Sequence, residues 1–104
     1  MSWVPQSCTL PVPAQPLRLA EFDALFAASL RSVERAAPDR LLLVLDGDAE
    51  AAARDLTARE SACCSFFTFT VCRIDGEVLV EVGVPGTHVE VLDALALSAV
   101  VAAA

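Results

Sequence analysis

The sequence predicts a single α+β domain, three helices packed on a small mixed sheet, with elements in the order (β)αβαββα. Three observations carry that expectation. The chain has 104 residues, enough to bury roughly 60–70% of its unfolded surface around one core but hardly around two. Hydrophobic residues make up 56% of it and charged residues 20%, the balance of a folded chain. Apolar residues then recur in blocks that switch between helical steps of three and four and strand steps of two.

The blocks can be taken in order. Residues 1–16 hold Pro5, Pro11, Pro13 and Pro16, which fix φ and remove amide donors, so an extended arm is expected, with at most a short edge strand around Cys8 to Leu10. Residues 17–104 form the domain. From about Arg18, Leu19, Phe22, Phe26, Leu30 and Val33 share one helical face, and Pro38 marks the stop at Ala37. The run Leu41 to Leu45 suits a buried strand. Asp48 can cap a second helix that runs to about Cys64, with Ala49, Ala52, Leu56, Glu60 and Cys63 on one stripe. Phe66 to Arg73 and Val78 to Val84 flank Asp75-Gly76, a favoured type I′ hairpin turn. If that turn sets Ile74 against Glu77, Val71 with Val80, Phe69 with Val82 and Phe67 with Val84 form the core side, and Cys72 with Leu79, Thr70 with Glu81 and Thr68 with Gly83 the other. After Pro85 and Gly86, Thr87 can cap a last helix whose Val91, Leu92, Leu95 and Val101 supply an apolar face.

Composition excludes several chemistries. The formal net charge is −7, with 7 basic residues against 14 acidic ones. All seven are Arg and none clusters, so neither nucleic acid nor an anionic membrane surface is an expected partner. With no Lys, no Tyr and a single histidine, His88, Schiff-base chemistry, tyrosine acid catalysis and a three-histidine metal site are unavailable within one chain. His88 reads as a solvated or capping residue of the last helix. No glycine-rich phosphate loop, GxSxG elbow or EF-hand spacing occurs. No signal peptide or apolar span is visible at the start, so a cytoplasmic location is expected, where thiols stay reduced.

The four cysteines carry the chemical clue. Cys63 and Cys64 are adjacent near the end of the second helix, and soft thiolates suit Cu(I), Zn(II), Hg(II) or As(III). Cys8 is the expected third sulfur, brought over the helix end by the proline-rich arm, and Glu60 is a candidate oxygen ligand or proton acceptor. Cysteines also pack as small hydrophobes, and a helix C-terminus disfavours a thiolate. Three functions therefore stand: soft-metal or metalloid binding, a cysteine-dependent reductase or organometal lyase, and a sensing or dimerising module with structural cysteines.

A resemblance enters on three stretches: Pro16 to Ala27, Leu56 to Thr70, and Val91 to Ala96. Their specific part is the Arg-Glu-x-x-Cys-Cys-x-Phe-Phe block of Arg59, Glu60, Cys63, Cys64, Phe66 and Phe67. The chain resembles a family of small actinobacterial proteins, some labelled arsenate reductase, that are similar to segments attached to mercury-type (MerR) regulators. The resemblance implies a heavy-metal or metalloid response and favours the metal reading. No Cys-x5-Arg phosphate loop or CxxC accompanies it. A homodimer is expected through the last helix, which is apolar almost all round.

Overall fold

A computed structural model describes residues 15–63 and 67–104; the expected edge strand around Cys8 lies outside them. Helix α1 covers Gln15–Ser29, strand β1 Leu30–Ala37, strand β2 Arg40–Asp46, helix α2 Glu50–Cys63, strand β3 Thr68–Ile74, strand β4 Glu77–Gly83 and helix α3 Val89–Ala103. Short 3-10 turns at Gly47–Ala49 and Gly86–His88 lead into α2 and α3. The fold is α+β with three helices on one sheet, and helix, strand, helix, hairpin and helix follow in the expected order. Within the described residues the sheet is antiparallel throughout rather than mixed, in the order β1-β2-β4-β3.

One further strand, β1, stands where the helical spacing was read to continue as far as Ala37. The cause lies in its ladder. Register shifts interrupt the pairing with β2 between Leu30 and Ser32 and between Arg35 and Ala37. Each bulge adds a residue to the strand, so the partly buried positions Leu30, Val33 and Ala37 fall three and four apart. A bulged strand has borrowed the spacing of a helix. Leu30 and Val33 therefore belong to the sheet, and α1 ends at Ser29.

The hairpin register is the one the turn dictates: Ile74 faces Glu77, Cys72 faces Leu79, Val71 faces Val80 and Phe69 faces Val82. Asp75 and Gly76 both adopt positive φ, 53° and 79°, as a type I′ turn requires. The turn is clamped to the start of α2. Arg73 donates to the Gly47 carbonyl (3.4 Å) and pairs with Glu50 (3.0 Å). A Cβ on the buried Gly47 would collide with the Gly76 carbonyl oxygen, so only glycine lets the two turns meet there.

The two central strands are arranged symmetrically. Leu41, Leu43 and Leu45 of β2 lie opposite Val82, Val80 and Val78 of β4, and all six are buried. The chain reads helix-strand-strand twice, and Leu43 with Val80 marks the midpoint at which the two units meet. The helices cover this inner face and complete the core with Phe22, Phe26, Ala53, Leu56, Leu92, Leu95 and Ala99. Two details of the expected faces change. On α2, Ala53 and Thr57 are buried and Ala52 is exposed; on α3, Val101 points to solvent. Alternate residues of β2 and β4, among them Leu42, Val44 and Leu79, lie on the opposite face and remain partly accessible.

Candidate functional site

The expected site sits at the end of α2. Cys63 is the last residue of that helix, Glu60 stands one turn before it, and Cys64 and Cys8 lie outside the described residues. Glu60 is 0% exposed. A carboxyl removed from water this completely has to be neutral or partnered, and this one is engaged, not free. Thr57, one turn earlier, is buried as well, and its hydroxyl donates to the Ala53 carbonyl at 2.7 Å. On the far side of the cysteines Phe67 is 4% exposed and its ring centroid lies 5.2 Å from that of Phe69. The Cys63-Cys64 step is thus bracketed by two residues anchored in the core.

Helices α1 and α2 run antiparallel beside each other. Arg59, near the end of α2, pairs with Glu21, in the first half of α1, at 3.0 Å. At the opposite end of the groove between them, Ser29 closes α1 where Asp48 and Ala49 lead into α2. The groove holds about 460 Å³ and is floored by Ala24, Leu25, Ala28, Ala52 and Leu56. The same seating brings the last turn of α2 to the end of the layer where α1 begins. Gln15, the point at which the proline-rich arm joins the fold, is at that end.

Arg59 is held by two carboxylates. Its guanidinium is raised above its ordinary value, first by the hydrogen bonds to Glu21 and then by the charges of Glu21 and Asp55, and it is shared between those two carboxylates at 3.0 Å each. The other described Arg side chains are paired too: Arg31 with Asp46, Arg35 with Asp93, Arg40 with Glu81, Arg54 and Arg73 with Glu50. Glu50 is held below its ordinary value by hydrogen bonds from Arg73 and then Arg54. Each of these six guanidinium groups, Arg31, Arg35, Arg40, Arg54, Arg59 and Arg73, is matched to a carboxylate.

Cys72 is exposed and belongs to the face of the sheet opposite the helices, which no described element covers, so it is separated from α2. Among the described residues no three of His, Cys, Asp and Glu come together in a group that could hold a metal ion. The role of Arg59 as the tie between α1 and α2 escaped sequence reasoning. Its only signal was charge opposite to Glu21, 38 residues away. No helix among the described residues is long and apolar enough to cross a membrane. No protein family, curated protein or solved structure matches the chain.

Proposed function

We propose that the protein binds a soft metal or metalloid ion through the thiolates of Cys63 and Cys64, with Cys8 as third sulfur and Glu60 as an oxygen ligand or proton acceptor. The observation that carries this reading is the antiparallel seating of α1 on α2. The arm that holds Cys8 enters the fold at the end of the layer where Cys63 closes α2. Gln15 follows Cys8 by seven positions, a reach of up to about 23 Å when extended, ample for a return to the helix end. Adjacent thiolates are soft donors, suited to Hg(II), As(III), Cu(I) or Zn(II). The Cys-Cys-x-Phe-Phe resemblance points to the same heavy-metal setting.

The place of the pair at a helix C-terminus supports coordination over nucleophilic catalysis. A helix C-terminus raises a thiol pKa, and a reactive cysteine needs a neighbouring cation to lower it. Arg59 is committed to Glu21 and Asp55. A bound metal ion supplies the missing charge itself and deprotonates its thiols outright, releasing protons on binding. To Glu60, one turn earlier in the sequence, this reading assigns the uptake of such a proton.

The test is titration of the reduced full chain with Hg(II), As(III), Zn(II) and Cu(I), followed by calorimetry and native mass spectrometry. One equivalent bound, lost in Cys63→Ser/Cys64→Ser, weakened in Cys8→Ser and unchanged in Cys72→Ser, with melting temperatures near native, is the expected result. Full affinity in the Cys63/Cys64 double variant overturns the reading. So does a double variant that loses stability while the native chain binds no ion, the signature of cysteines that only pack. Turnover of an organomercurial or of arsenate would replace it with the lyase or reductase.

A further inference from the structure

We infer that the outer face of α3, with the adjoining face of α1, is the surface through which two copies of this chain associate. Helix α3 already spends Val91, Leu92, Leu95 and Ala99 on its own core. Its other side still presents Leu97, Val100 and Val101 at 62%, 53% and 65% exposure. These are three of the four large hydrophobic side chains that the described residues leave exposed. The three lie together on the last two turns of one helix, so they form a patch rather than a scatter.

The patch is built to accept itself. Beside the projecting Leu97 and Val101 lies a hollow of about 240 Å³ with Ala94 and Ser98 at its base. A second hollow, of about 390 Å³, opens between α3 and the small residues Ala24 and Ala27 of α1. An isologous contact needs one surface to carry both the projections and the recesses that receive them, and aliphatic knobs beside alanine and serine hollows meet that need. Charge selects the same place. The chain carries −7, which sets copies against each other over most of their surface, yet Ala94 to Ala104 contains no charged residue. Two carboxylates border it, and both are engaged: Asp23 accepts a hydrogen bond from the Ser98 hydroxyl at 3.0 Å in the seam between the helices, and Asp93, one turn before Leu97, is paired with Arg35. The uncovered sheet face also offers Leu42, Val44, Leu79 and Ile74, but the ion-paired Arg31, Asp46 and Glu77 cross one end of it and Arg40 and Glu81 the other.

Light scattering and sedimentation on the reduced, metal-free full chain, from low to high micromolar, decide the matter independently of the metal reading. The native chain is expected at twice its 10.9 kDa mass, and Leu97→Glu/Val101→Glu at the single mass with an unchanged circular dichroism spectrum. Leu79→Glu, on the sheet face, should leave the dimer in place. A native chain that stays monomeric at high micromolar concentration overturns the inference. A dimer that survives the α3 double variant, or that dissolves in Leu79→Glu, overturns it equally by moving the interface elsewhere.

Discussion

The β3–β4 hairpin and the β1–β2 hairpin hold equivalent places in the sheet, each an outer strand folded against one of two central strands, yet their registers are set by different means. In β3–β4 the turn does it. Asp75 and Gly76 take up positive φ, and seven consecutive pairs follow without a slip. In β1–β2 the turn at Pro38 and Asp39 shows no positive φ, and the ladder slips twice. There the outer strand is tied by side chains: Arg31 reaches Asp46 at the far end of β2 and Glu77 of β4, and Arg35 reaches Asp93 on α3. A register set within four residues is a local property of the chain. One set by contacts 15 to 58 residues away exists only once the fold has formed.

The contrast can be broken or sharpened by substitution. The largest effect should come where both hairpins meet. Leu43→Ala removes a buried side chain opposite Val80 and should cost about 2–5 kcal/mol, the range for buried leucines, as read by urea unfolding. A smaller loss would mean that the junction of the two units is not the centre of the core. Next, Gly76→Val forces a β-branched residue into φ 79° and should cost about 1–3 kcal/mol. Asp39→Ala in the other turn should be nearly neutral, because the carbonyl that accepts the Val84 amide at 3.1 Å is kept. Equal costs at the two turns would erase the distinction. Arg31→Ala should have the smallest effect, since its partners are well exposed and such pairs contribute little. Near 1 M salt, where the Debye length is about 3 Å, that difference should vanish while the Gly76→Val penalty persists. A salt-independent Arg31→Ala loss would show that its hydrocarbon stem, not its charge, holds β1.

The candidate site divides along the same line. Glu60 was legible as a member of the inward stripe of α2 because three- and four-residue steps along one helix decide which side faces the core, and it is buried. That it would be fully buried was not legible, since a carboxyl in a stripe reads equally well as a rim residue. Cys72 was legible as outward because the turn fixed the register and the register fixed its face. The pairing of Arg59 with Glu21 was not, because it depends on how two helices lie against each other, and no periodicity within either one encodes that.

By itself the sequence determined the α+β class, the hairpin with its turn and register, and the acidic, lysine-free composition that turns the search towards sulfur. Each rests on interactions between residues within a few positions of one another, or on composition alone. Only the tertiary structure decided that β1 is a strand, since its two bulges counterfeit a helical spacing and pairing with β2 is what makes it extended. Only the tertiary structure set Glu21 of α1 against Arg59 of α2, because helix packing is settled by the joint burial of faces distant in sequence. It alone, too, left Leu97, Val100 and Val101 outside a core already filled by the other side of α3. An apolar helix announces in its sequence that it will be buried; how much of it the chain's own core can cover depends on the space the other elements leave.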